Sequence, residues 1–254
     1  MLVSERVLIV TGGSRGIGAA TARLAGVAGY VVLVNYAANR AAAEAVADDI
    51  RAGGGRAETV SGDVGSEADV HAIFAAAERL GRLAVLVNNA GVVDQPATVA
   101  DMDLKRLERM FRINTIGSIL CAREAVRRMS TSRGGEGGVI VNLSSAAAKL
   151  GAPGQYVDYA AAKGAIDTFT VGLAKEVAGE GVRVCAVRPG IIETDIHASG
   201  GLPNRVAEMT PGLPMRRPGS AEEVARAILW LASDEASYSS GAILDVSGAR
   251  AILP

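Results

Sequence analysis

Residues 6–28, RVLIVTGGSRGIGAATARLAGVA, set a short apolar run, a glycine-rich turn and an alanine-rich stretch end to end. The apolar run has the length and Val/Ile content of a buried strand, and the alanine-rich part suits a helix packed closely on it. Between them, three of the four glycines in TGGSRGIG (11–18) meet three different needs. Gly12 permits a tight turn, Gly16 lets backbone approach a bulky anion, and Gly18 allows the helix to lie close to the strand. A helix starting here offers unpaired N–H groups and the positive end of its dipole to phosphate. An ordinary strand–helix loop is the plainer alternative, but the strand before and the helix after supply the context that dinucleotide binding requires.

The same alternation runs outward along the chain. Runs at 30–36, 56–64, 83–91, 137–145, 182–190 and 242–248 read as further strands, each bounded by Gly, Asn, Asp, Ser or Pro. Stretches 16–28, 40–52, 67–80, 103–130, 157–179 and 221–233 read as helices between them. Strand–helix alternation predicts an α/β fold: a doubly wound, seven-stranded parallel sheet, Rossmann-like, with helices on both faces. No internal repeat or linker divides residues 1–254, so one domain is expected. The segment 190–219, with four prolines, is irregular and reads as a substrate loop. The chain is 49% hydrophobic and carries a formal charge of −1, which argues against a nucleic-acid or anionic-membrane partner. The start MLVSERVLIVTGG leads straight into a strand, and no apolar run reaches the length of about 18 residues of a membrane span. Cys121 and Cys185 read as free buried thiols, and the expected location is the cytoplasm. His71 and His197 lack companions at metal-ligand spacing, so no metal site is expected, and His197 reads as a solvated loop residue or a pocket lining.

The glycine spacing, with NNAG (88–91), PGIIET (189–194) and YAAAK (159–163), resembles the short-chain dehydrogenase/reductase family over almost the whole chain. The resemblance implies that Gly12, Ser14, Arg15, Gly16, Ile17 and Gly18 cradle a nicotinamide dinucleotide. Asp63 and Val64 would flank the adenine, and Asn89, Ala90 and Gly91 its ribose. Pro189, Gly190, Ile192 and Thr194 would lie at the nicotinamide, together with Tyr159 and Lys163. The second strand ends in Asn35-Tyr36-Ala37, without the acid that takes the ribose hydroxyls of NAD. With Arg15 and Arg40 nearby, Asn35 and its neighbours favour NADP over NAD, although Arg40 also reads as a solvated helix-start residue.

Tyr159 and Lys163 stand four residues apart on one helical face, so an ammonium beside the phenol is expected to lower its pKa toward neutrality. Such a phenol gives a proton to a carbonyl oxygen or takes one back. A surface Tyr–Lys pair is the plainer alternative, and the motifs around it argue otherwise. The family adds a serine after the fifth strand; at its usual spacing the position is Ala146, and one extra residue in 146–158 leaves Ser145 as the match and Ser144 as the alternative. Asn114 matches the family's helix asparagine, whose carboxamide would hold a proton-passing water. An Asn in mid-helix predicts a local break or a specific bond. Tyr156 is followed four residues on by Ala160 and reads as a pocket wall. The substrate is expected to be a small carbonyl or alcohol compound: a sugar, a 3-oxoacyl group or another. Homotetramers pairing helices 103–130 and 157–179 and the C-terminal segment are common in the family. The rival readings are an idle NADP-binding redox sensor or scaffold, and a nucleotide-sugar epimerase-like enzyme.

Overall fold

The computed structural model describes residues 5–251, apart from the side chain of His197. Seven strands, β1 (Arg6–Val10), β2 (Val31–Tyr36), β3 (Arg56–Ser61), β4 (Arg82–Asn88), β5 (Gly138–Leu143), β6 (Val182–Pro189) and β7 (Ile243–Val246), form one sheet in the order β3-β2-β1-β4-β5-β6-β7. Every pairing is parallel. The order reverses between β1 and β4, the crossover at which open α/β sheets hold ligands beyond their carboxyl ends.

Ten helices cover the described chain: α1 (Gly16–Val27), α2 (Arg40–Ala52), α3 (Glu67–Glu78), α4 (Leu104–Phe111), α5 (Gly117–Met129), α6 (Ala147–Leu150), α7 (Val157–Val177), α8 (Ile196–Ser199), α9 (Arg205–Met209) and α10 (Ala221–Ala232). Alternate strand residues face opposite layers. Leu8, Val10, Val32, Val34, Val139 and Val187 pack under α1, α2 and α10. Val7, Ile9, Leu33, Leu86, Ile140 and Val184 pack under α3, α5 and α7. Both faces of the central strands are therefore buried, which is why they carry apolar side chains without alternation. Local chemistry sets several helix starts: Asn39, Ser66 and Asp103 each accept from a first-turn amide, and Ser220 with Glu223 closes a capping box.

Two expectations change. The stretch 103–130 is not one helix: a π-turn at Arg112–Ile116 separates α4 from α5. The segment 190–219 is less irregular than its prolines suggest, since α8, α9 and a 3-10 turn at Thr210–Gly212 lie within it. Cys121 and Cys185 are free and buried.

Candidate active site

The glycine loop after β1 is built by close approach. Gly12 has φ +61°, and a Cβ there would lie 2.9 Å from the Cα of Ala90, so only glycine fits. Gly16, at φ +54°, would bring a Cβ to 3.2 Å from the methyl of Thr194, which places the loop after β6 directly across from the first loop. Thr11 and Asn89 lock the two walls together. The amides of Asn89 and Ala90 donate to the Thr11 hydroxyl at 3.0 Å, and the Asn89 carboxamide donates to Thr11 O and Gly12 O at 2.9 Å. Unlike α2, α3, α4 and α10, α1 has no side chain bonded to its first-turn amides. A glycine lip clear of side chains, closed by Thr194 and ending on uncapped helix amides, fits the diphosphate and nicotinamide of a dinucleotide.

On the other side of the cleft, the end of β5 and the first turn of α7 converge. Tyr159 is half-buried beside Ser145, which lowers its phenol's pKa against the effect of burial, while Ser145 Oγ accepts from Ala147 N at 3.1 Å. Ser144 is 4% exposed and donates to the carbonyl of Lys163 at 3.2 Å, so its hydroxyl ties β5 to α7. Lys163 is buried, with Nζ donating to Leu143 O at 2.6 Å and standing 5.7 Å from the Tyr159 ring centre. Gly91 lies beside it: a Cβ there would sit 2.8 Å from Asn114 Oδ1 and 3.6 Å from Lys163 Nζ. Ser145, Tyr159, Lys163, Gly91, Gly190 and Thr194 all line one cavity of about 470 Å³.

The electrostatics depart from expectation. Burial raises the Tyr159 phenol above its usual value, with the Ser145 hydrogen bond opposing, while the Lys163 ammonium is bonded to the Leu143 carbonyl. Burial also pushes Lys163 down to about 8, against the opposing charge of Asp167 one helical turn on. Asp167 pairs with Arg188 at 2.8 Å.

Several residues expected at the cofactor also bond within the protein. Asn35 is 1% exposed; its carboxamide accepts from Gly12 N at 3.2 Å and donates to Gly62 O at 3.0 Å, so it braces the glycine loop from beneath. Arg40 projects into solvent with only a loose 3.9 Å approach to Glu44, and Arg15 is exposed at the start of α1. The Asp63 carboxylate is bound by Arg112 at 2.7 Å; burial would raise it, but that guanidinium and the Gly65 amide hold it below its usual range. Val64 is buried against Gly117. Asn114 does occupy a helix break and make specific bonds, but its carboxamide is committed to protein. Oδ1 accepts from Val92 N and Nδ2 donates to Val92 O and Met110 O, each at 3.0 Å, so the carboxamide braces the loop after β4. Ser14, Ile17, Ala90, Pro189 and Ile192 fall at the ends of β1, β4 and β6, which frame the cleft; of these Ile17, Pro189 and Ile192 line it.

Tyr156 is buried in the cavity wall as expected, and Met209 also lines the cavity, whereas Met215 lies beside Gly248 away from it. Arg205 and Arg250 line the cavity too, and neither was legible beforehand. They sit in the irregular segment and in the turn after β7, where no local pattern marks an inward side chain. The His197 side chain lies outside the described residues. Among the described residues no cluster of His, Cys, Asp and Glu could hold a metal, and no helix is long and apolar enough to cross a membrane.

A family model described as enoyl-(acyl carrier protein) reductase matches residues 12–248. The chain is 51% identical over 96% of its length to the uncharacterized oxidoreductase YgfF of Escherichia coli strain K12, covering 99% of that protein. It is 42% identical to a cis-4-hydroxycyclohexanecarboxylate dehydrogenase of Sinomonas cyclohexanicum, over 96% of each chain. Among solved structures, a doubly substituted short-chain dehydrogenase/reductase of Serratia marcescens superposes with TM-score 0.89 at 29% identity, covering 98% of each chain.

Proposed function

The chain belongs to the short-chain dehydrogenase/reductase family of NAD(P)-dependent oxidoreductases, and from that premise we propose that it interconverts a secondary alcohol and a ketone with NADP(H). The observation that carries this reading is the convergence of Ser145, Tyr159 and Lys163 on one wall of a cavity whose facing wall is the glycine loop and Thr194.

When bound across the glycine loop, the nicotinamide supplies or accepts the hydride at carbon 4. The chain's own residues handle orientation and protons. Ser145 Oγ and Tyr159 Oη both donate to the carbonyl oxygen and hold it at the cavity wall. As negative charge develops on that oxygen, Tyr159 passes its phenolic proton to it, giving the alcohol. A phenol raised by burial is fully protonated near neutral pH, which suits the donor role in reduction. Lys163, titrating near 8, is charged near neutrality and stabilises the phenolate left behind. The apolar strand ends Leu143 and Ile191 help keep bulk water from the reacting atoms.

NADP is favoured over NAD because β2 ends without a carboxylate, while Arg15 and Arg40 stand exposed where a 2′-phosphate would be met. The substrate class is a small carbonyl or alcohol compound; the Sinomonas relative's hydroxycyclohexanecarboxylate indicates that a ring-borne secondary alcohol fits such a cavity. Two free buried thiols suit a reducing cytoplasm. A homotetramer is favoured by apolar side chains left exposed on α5 and α7.

Replacing Tyr159 by Phe removes the proton donor and nothing else of size. The variant is expected to bind NADPH as the parent does, seen by nucleotide fluorescence, and to lose carbonyl reduction by a factor of about 10² or more. Undiminished turnover would overturn the mechanism.

A further inference from the structure

The cavity is electrostatically one-sided. No Asp or Glu lines it, yet three cations do: Lys163, Arg205 and Arg250. Lys163 belongs to the catalytic group. The two arginines come from parts of the chain 45 residues apart, α9 and the turn after β7, and neither forms an ion pair with an acid among the described residues. Arg205 lies 5.2 Å over the ring of Tyr156 and donates to Gln155 Oε1 at 2.5 Å, so its guanidinium is fixed in place by stacking and one hydrogen bond. The remaining donors of that fork are available to a ligand. Arg250 is half-buried, and no side-chain bond from its guanidinium is found among the described residues. Burial and the neighbouring Arg205 both push Arg250 below its usual value, which shows two like charges held close together in a partly desolvated wall. The turn that carries Arg250 is itself unusual: Gly248 and Ala249 both have positive φ, +58° and +66°. Ala249 is one of only three non-glycine residues so placed in the described chain.

A pair of guanidiniums in a cavity wall without an acid is an unfavourable arrangement unless an anion completes it. The dinucleotide's phosphates are not the natural occupant. They are expected at the glycine loop and the start of α1, whereas Arg205 is anchored on Gln155 and Tyr156, in the loop leading into α7. On the reading above that this cavity receives the carbonyl substrate, we propose that Arg205 and Arg250 bind an oxyanion carried by that substrate, so that the enzyme acts on acidic ketones and hydroxy acids. Arg205 lies over the ring of Tyr156, three residues before Tyr159 in a cavity that both tyrosines line, so the oxyanion is held apart from the phenol. Carbonyl and oxyanion are therefore separated by several bonds. A carboxylate and a phosphate monoester share the recognising chemistry.

The test is NADPH oxidation by the full-length protein with 4-oxocyclohexanecarboxylate, its methyl ester, and the phosphate monoester of 4-hydroxycyclohexanone. The acid is expected to exceed the neutral ester in kcat/KM by roughly tenfold or more, with the difference in KM. Arg205→Gln and Arg250→Gln should each shrink the acid-to-ester ratio, and the double variant should bring it near unity. A better phosphate ester than carboxylate would identify the oxyanion as phosphate. An ester as good as the acid, or a preference surviving both substitutions, overturns the inference. Calorimetry on the NADP-loaded protein separates binding from turnover: the acid should bind and its amide should not, with the difference lost in the double variant. If acid and amide bind alike, the anion site is refuted while the oxidoreductase reading stands. If neither ester nor acid is reduced but the acid binds through both arginines, the oxidoreductase reading is what has failed.

Discussion

Lys163 is the residue whose environment is most consequential. Its ammonium is inside the protein, bonded to one carbonyl, and releases its proton near 8, whereas in the unfolded chain it does so near 10.5. Between those values the folded state binds fewer protons than the unfolded one, so this group makes stability rise with pH across the window and penalises folding below it. In Lys163→Met that contribution vanishes. The stability of the parent relative to the variant should therefore grow by about 2 kcal/mol from about pH 7 to about pH 10, measured by urea denaturation at each end. A pH-independent difference would show that the lysine is not desolvated. Arg40 and Arg15 test the cofactor preference at the same scale. Replacing both by Ala should weaken NADPH binding about tenfold while leaving NADH binding unchanged, by fluorescence titration. Tighter binding of NADH than NADPH by the parent would reverse the assignment. The tyrosine, lysine and serine were all legible by spacing along the chain. That Lys163 faces a backbone carbonyl was not, since Leu143 lies 20 residues away.

At the scale of elements, the break between α4 and α5 is where sequence and structure inform each other. A helix with Asn at its centre was expected to break or to bond, and it does both. The π-turn at Arg112–Ile116 swings Asn114 under the β4 loop, where three hydrogen bonds join Val92 and Met110 to it. The turn thereby holds Gly91 beside Lys163. Asn114→Ala leaves the Val92 amide and carbonyl without their partner in a partly buried place. It is expected to cost about 2 kcal/mol in chemical denaturation and to lower kcat with it, because the cavity floor shifts. A variant of parental stability would deny the turn its bracing role. Beneath the same site Asn88, Asn142 and Thr170 form a buried polar chain, with Asn88 donating to Asn142 at 2.9 Å and Asn142 to Thr170 at 3.0 Å. It joins β4, β5 and α7 in fixed register below the reacting groups.

For the whole molecule, both faces of the central strands are covered, yet Ile116 and Ile119 near the start of α5 and Val171 on α7 remain 49%, 37% and 37% exposed. Apolar side chains left open on neighbouring helices suit pairing with a second copy. Sedimentation should give a tetramer for the parent and a smaller species for Ile119→Glu with Val171→Glu. A monomeric parent would refute the assembly. By itself the sequence determined the alternation of strands and helices, the glycine loop and the catalytic spacing, because these rest on periodicities of two and about four residues and on single-residue steric needs. Only the tertiary structure decided that Asn35, Asp63 and Asn114 bond to protein partners, that burial raises the Tyr159 phenol, and that Arg205 and Arg250 share a cavity wall. Each of those depends on groups tens of residues apart meeting in a low-dielectric interior, and neither that distance nor that environment is written in local spacing.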